Sequence, residues 1–293
     1  MRYLKTGLTH LDADLAAPGF TLFSPLYLPK TYLLNMDGEV VHEWDLPDSP
    51  SNYAYLLPNG NLMVACRAKG GEVNMARGGV MMEMDWNGKV LWQYVDPYQH
   101  HDFRRTDDGG LLYIAWQLLP DDIAARVQGG RAGSEHDWGI WGDCIRHVDK
   151  AGELVWEWRG WEHMEIEKYP LAPDDNRHEY AHPNTIFPLA DGNALICFRH
   201  IDLIAIVDRA TGEFTWQRHE PDWGGPHDVQ VLGSGNMMIF ANRRGRMPAG
   251  SKVVEFDQMS GETIWEYQAN PSHTFDSHFI SGCQRLWNGN TLI

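Results

Sequence analysis

Residues 182–216, HPNTIFPLADGNALICFRHIDLIAIVDRATGEFTW, hold two different hairpins back to back. The first turns at Asp191-Gly192-Asn193 between two apolar runs. Such turns, with glycine supplying a positive φ, read as tight β-hairpins. The second turns between Asp208 and Gly212 and runs on into a strand that carries Trp216. Joined, they make four short antiparallel strands from one stretch of chain.

Both hairpins recur. The Asp…Gly…Trp hairpin returns, with a shortened first copy, at Asp37-Gly38…Trp44, Asp85…Gly88…Trp92, Asp149…Gly152…Trp156 and Asp257…Gly261…Trp265. The Gly-Asn hairpin returns at LLPNGNLMVAC (56–66), VLGSGNMMIF (231–240) and RLWNGNTLI (285–293), with a looser copy at RTDDGGLLYIA (105–115). The two alternate, which gives four-stranded units of about 45–60 residues in tandem, the signature of a β-propeller. Five repeats are countable. The chain starts on one kind of hairpin (31–44) and ends on the other (279–293), so its ends either join to complete a fifth blade or belong to a six-bladed ring cut short. The recurring tryptophans read as plugs between blades.

The 293-residue chain carries 40 acidic against 24 basic residues, a formal charge of −16. That balance argues against a nucleic-acid or membrane-surface partner, because phosphate contacts need clustered cations. No apolar run approaches the roughly 20 residues of a spanning helix. The opening MRYLKTGLTHLDADL lacks a signal-peptide core, so a cytoplasmic location is expected. Cys66, Cys144, Cys197 and Cys283 form no close-spaced pair and read as reduced, buried thiols. The surface fits monomer or dimer equally.

His101-Asp102, His182-Pro183 and His227-Asp228 stand 8 to 10 residues before turn glycines Gly109, Gly192 and Gly235, each at the start of an innermost strand; His278 stands 11 before Gly289. Blade symmetry then gathers them on one face. Arg67, Arg199 and Arg243 end second strands and fall on that same face, with Arg243 set apart from Arg244 and Arg246 of its loop. Two insertions, 117–143 and 161–181, project over it as lids on a single propeller domain spanning 1–293. Imidazoles serve as nucleophile, acid, base or metal ligand, and arginine forks suit small oxyanions. An anionic small-molecule substrate is the expected partner.

GFTLFSPLYLPKTYLLNMDGEVVHEW (19–44), HHDFRRTDDGGLLYIAW (100–116), the 182–216 stretch, PHDVQVLGSGNMMIFANRRG (226–245) and CQRLWNGNTLI (283–293) resemble the arylsulfotransferase family. The resemblance implies a propeller, six-bladed in that family, that moves a sulfuryl group from an aryl sulfate to a phenol through a sulfated histidine. It implies His227 as nucleophile, His101 and His182 as supporting histidines and Arg199 as the sulfate-holding arginine, with no cofactor. Either His101 or His182 would protonate the leaving phenoxide. Around these, Arg67, Arg243, His278, His100 and Asp228 are expected to bind substrate. The family is often exported and carries an extra N-terminal domain, whereas only residues 1–18 precede these motifs.

Three rival readings remain open on the sequence. His101, His182 and His227 could bind a divalent transition metal, in a propeller lyase or hydrolase acting on a carboxylate-bearing carbohydrate. DRATGEFTW (208–216) and DQMSGETIW (257–265) also look like the tryptophan-docking repeats of quinone-dependent dehydrogenases. A protein-binding propeller would leave its rim open instead of roofed.

Overall fold

A computed structural model describes residues 6–70 and 76–293. The first five residues of the opening segment read above for a leader lie outside the described residues. The fold is an all-β propeller with five blades. The chain divides into two compact units, Met1–His101 with Arg285–Leu292, and Asp102–Gln284 with Ile293.

In the first unit, β1 (Thr21–Phe23), β2 (Lys30–Leu34) and β3 (Val40–Asp45) form a three-stranded sheet. A four-stranded sheet follows from β4 (Pro50–Leu56), β5 (Leu62–Arg67), β6 (Gly79–Met84) and β7 (Val90–Val95). Leu62, Val64, Cys66 and Met82 of this sheet pack on Leu33 and Trp44 of the first one.

β8 (Gln99–Arg105) runs across the division between the units and pairs with β9 (Leu111–Leu118). The first insertion then adds a one-turn helix, α1 (Asp121–Ala124), and β10 (Gly129–Arg131). β11 (Trp141–Val148) and β12 (Leu154–Arg159) return to complete that sheet. The second insertion carries α2 (Gly160–His163) and β13 (Leu171–Asn176). Two regular sheets follow, β14 (Pro183–Pro188) to β17 (Phe214–His219) through β15 (Ala194–Phe198) and β16 (Leu203–Val207), then β18 (His227–Val231) to β21 (Thr263–Tyr267) through β19 (Met237–Ala241) and β20 (Lys252–Phe256). The last hairpin, β22 (Gln284–Arg285) and β23 (Thr291–Leu292), is a sheet of its own. The first sheet thus takes its third strand from the N-terminal segment, and the terminal hairpin meets that segment through the Asn288 and Asn290 amides, which donate to the Leu15 carbonyl.

The hairpin chemistry repeats as the sequence anticipates. Asp208 Oδ1 accepts the amides of Ala210 and Thr211, and Gly212, at φ 81°, closes the turn. The tryptophans of three such hairpins reach the turn of another blade. Trp44 Nε1 donates to the Asp85 carbonyl, Trp156 to Arg209 and Trp216 to Gln258, at 2.9–3.0 Å. These indoles are plugs that satisfy their own N–H while covering the blade faces.

The two insertions pair with each other. β10 runs parallel to β13, and Val127, Trp161, Met164, Ile166, Tyr169, Leu171 and Tyr180 join strand residues Ile114, Ile145 and Phe198 in one buried cluster. They are a packed layer of the second unit. No helix among the described residues is long and apolar enough to cross a membrane.

Candidate active site

Innermost strands begin under backbone strain. His101, His182 and Asp228 hold φ of 50°, 52° and 53°, a region that costs a residue with a Cβ and gathers at functional sites. The aspartates that follow two of the histidines are ties between blades. Asp102 Oδ2 accepts the Ile186 amide at 2.9 Å and the Arg104 guanidinium at 2.9 Å. Asp228 Oδ2 accepts the Cys283 amide at 2.7 Å, and the Asp228 amide donates to Thr185. Burial raises both carboxyls, Asp102 to about 6 against the opposing charge of Arg104. Asp228, expected among the substrate-binding groups, is therefore engaged with the backbone.

His227 is buried at the start of β18. Its Nδ1 lies 2.7 Å from Asn242 Oδ1 and 3.0 Å from the Gly225 carbonyl. The Asn242 amide is oriented by its Nδ2, which donates to the Ser277 carbonyl at 2.7 Å, while Ser281 donates to its Oδ1. Two acceptors therefore face His227 Nδ1, so that nitrogen carries the proton and Nε2 carries the lone pair. Burial first and the Arg199 charge second push the ring down to about 3, against the hydrogen bonds of Asn242 and Gly225. His227 is a neutral imidazole with one defined tautomer.

Beside it stands a second cluster. Glu179, from the end of the second insertion, puts Oε2 2.5 Å from His182 Nδ1 and Oε1 3.5 Å from His178 Nε2. The His182 ring stacks on His200 with centroids 4.5 Å apart, and Trp116 meets His182 edge-on at 5.9 Å. Arg199 Nη1 donates to His200 Nε2 at 2.6 Å, which fixes the His200 proton on Nδ1. Burial, with Glu179 opposing, keeps His200 neutral. Burial works to raise Glu179, but His182, His200 and the bonds from His178 and His182 hold it well below the usual carboxylate range. Asp143 Oδ2 accepts the His182 amide, and burial together with the Glu179 charge pushes Asp143 well up.

The arginines divide. Arg199 forms no ion pair with a carboxylate among the described residues, and burial with the Arg244 charge lowers its pKa. The charges of Glu179, Asp175 and Asp202 oppose that lowering from a distance. Arg244 instead pairs with buried Asp175 of β13, and Arg246 approaches Asp202 at 3.7 Å. Arg243, expected on the site face, turns away and donates to the Pro248 and Gly250 carbonyls of its own loop. His278 is exposed on the loop before β22. In the first unit, Arg67 is exposed and lies over the Tyr27 ring at 5.9 Å, and His100 Nδ1 sits 2.6 Å from His101 Nδ1.

Of the predicted residues the structure brings together His182, Arg199 and His227, and it adds Glu179, His200 and Asn242. Asn242 had a signal: counted from the turn, Arg67, Trp116, Arg199 and Asn242 all stand seven residues after Gly60, Gly109, Gly192 and Gly235, whereas Arg243 stands eight after. Glu179 had none, because loop geometry and not strand register delivers it. Among the described residues, one set of donors lies within metal-ligand reach, Glu179, His182 and His200, with ligand atoms within 4.8 Å of one another. It takes only His182 from the metal set expected on the sequence. The Arg199 guanidinium already occupies His200 Nε2 and Glu179 occupies His182 Nδ1, an arrangement that disfavours a cation.

A family profile described as arylsulfotransferase (ASST) matches residues 17–225. No curated protein matches the chain. Among solved structures, a protein of unknown function from Bacteroides caccae is similar at 15% identity and a TM-score of 0.59, covering 94% of this chain and 82% of its own. Virginiamycin B lyase from Staphylococcus aureus is similar at 12% and 0.51, covering 98% and 85%. A luciferin-regenerating enzyme is similar at 9% and 0.53, covering 94% and 78%. At these identities the likeness bears on fold alone.

Proposed function

The chain belongs to the arylsulfotransferase family, and from that premise we propose that it moves a sulfuryl group from an aryl sulfate to a phenolic acceptor, with His227 as the nucleophile. The observation that carries this reading is the His227 tautomer: Nδ1–H held by Asn242 and Gly225, Nε2 left with its lone pair, and the Arg199 charge close enough to depress the ring. Nε2 attacks sulfur as the sulfur–aryloxide bond breaks. Arg199 takes the charge on the sulfuryl oxygens, and His182 gives a proton to the leaving phenoxide. The acceptor phenol then returns that proton to His182 as its oxygen attacks sulfur and the N–S bond breaks. Each half-reaction exchanges one proton and one sulfuryl group, so no cofactor enters the balance.

The test is an intact-mass spectrum before and after incubation with an aryl sulfate. A sulfuryl adduct in the wild type, absent from His227→Ala, is the expected result. If His227→Ala retains adduct and turnover, the nucleophile lies elsewhere.

The metal-dependent lyase or hydrolase reading has one observation in its favour, the Glu179–His182–His200 donor set. The Arg199 contact to His200 weighs against it. Metal content of the purified protein decides: stoichiometric transition metal with no sulfuryl adduct would replace sulfuryl transfer by this reading.

A further inference from the structure

The second insertion ends by placing one carboxylate against one histidine. Tyr180, next to Glu179, is anchored on both sides. Its amide donates to the Trp141 carbonyl at 2.8 Å, and its hydroxyl donates to the carbonyls of Ile166 and Tyr169. The Trp141 amide in turn donates to the His178 carbonyl at 2.9 Å. Glu179 is thus fixed between two backbone bonds to a blade strand, buried, with Oε2 on His182 Nδ1 at 2.5 Å. An ionised carboxylate only accepts, so His182 carries a proton on Nδ1 and the negative charge beside it stabilises the imidazolium.

We propose that Glu179 is the positioning residue that makes His182 the general acid and base of sulfuryl transfer, so that the second insertion is a working part of the site. The inference rests on the sulfuryl-transfer reading. His227 and His182 would then differ by their partners. A neutral amide beside His227 keeps a nucleophile, and a carboxylate beside His182 keeps a proton donor. When the sulfur–oxygen bond breaks, its electron pair stays on the aryl oxygen and the proton on His182 Nε2 passes to it. The ring stays bonded to Glu179 through Nδ1–H and takes the proton of the acceptor phenol in the second half-reaction. The neighbouring acid, Asp143, accepts the His182 backbone amide, and burial with the Glu179 charge raises its carboxyl.

Dependence on the leaving group tests this. Single-turnover formation of the His227 adduct is measured with aryl sulfates running from nitrophenyl to unsubstituted phenyl, in wild type and Glu179→Gln. A nitrophenoxide leaves without help, so that donor should react within a few-fold of wild type. The phenyl donor should slow by about a hundredfold or more, the usual contribution of general acid catalysis. An equal loss for every donor would make Glu179 structural only, and no loss would remove it from the mechanism. Either overturns the proposal while adduct formation on His227 leaves the transfer reading standing. Failure of the wild type to form any adduct with the nitrophenyl donor would bring down both. Should Glu179→Gln not fold, Glu179→Asp carries the test. It keeps the charge but draws it back from Nδ1, and its loss should again grow with leaving-group basicity. A loss uniform across donors would overturn the proposal there too.

Discussion

His227 Nδ1 and Asn242 Oδ1 lie 2.7 Å apart, and that contact, together with the Gly225 carbonyl, leaves the lone pair on Nε2, the nitrogen that the proposed sulfuryl transfer would use. Asn242→Ala leaves the Gly225 carbonyl as the remaining acceptor. Losing a buried hydrogen bond of about 1–3 kcal/mol should slow adduct formation roughly tenfold to a hundredfold without abolishing it. Asn242→Asp should act differently. A carboxylate at that place favours the imidazolium, so an acid limb should rise into a pH range where the wild-type rate is flat. A pH–rate profile unchanged by Asn242→Asp would mean that the contact does not govern His227.

The hairpins, the alternating blades and the plugging tryptophans were legible in the sequence because each rests on local chemistry. Asp208 caps its own turn, Gly212 takes a positive φ, and Trp216 follows at a fixed distance. The placement of His182, Arg199 and His227 near one another followed from the same periodicity. Arg243 shows where such counting slips, since one residue of register exchanges a guanidinium for the Asn242 amide. Glu179 marks the limit. It stands three residues before His182, yet its contact depends on the pairing of Trp141 with residues 178–180 and on two insertions folding against each other. No periodic pattern encodes that.

Arg199 has His200 as its hydrogen-bond partner and no carboxylate in ion-pair contact among the described residues, although Glu179, Asp175 and Asp202 act on it from farther away; in the sulfuryl-transfer reading its fork would hold the sulfuryl oxygens. Arg199→Ala should cost about 3–4 kcal/mol of barrier, the typical loss of one such stabilising group. Arg199→Lys should recover only part, because an ammonium cannot bridge two oxygens while also donating to His200. Rates of adduct formation in the two variants check this. A harmless Arg199→Lys would move the anion site to another cation, with Arg244 the nearest by charge coupling.

His101 belongs to the first unit, with φ 50° and its Nδ1 against His100. Alanine is poorly suited to that backbone, whereas asparagine tolerates it. If His101 serves sulfuryl transfer as the family resemblance implies, His101→Asn should lower turnover strongly, and because asparagine tolerates this backbone the melting temperature should stay near that of the wild type. Full activity in His101→Asn would remove this histidine from the reaction and leave His182 as the proton donor.

The depressed pKa of His227 also makes a statement about stability. In the unfolded chain the ring titrates near 6.5, and in the folded protein near 3. Between these values the unfolded state binds the extra proton, so the His227 contribution is complete above pH 6.5 and is lost as pH falls toward 3. Other buried groups titrate in the same window, and Asp102 works in the opposite sense. The difference between wild type and His227→Gln isolates the histidine. Denaturant unfolding from pH 7 to 4 should show wild type losing about 1.4 kcal/mol per pH unit relative to the variant below pH 6.5. A difference that stays constant across that range would mean that His227 holds an ordinary proton affinity in the folded chain. It would then be largely protonated at mildly acidic pH, and its standing as a pre-formed nucleophile would lose its physical basis.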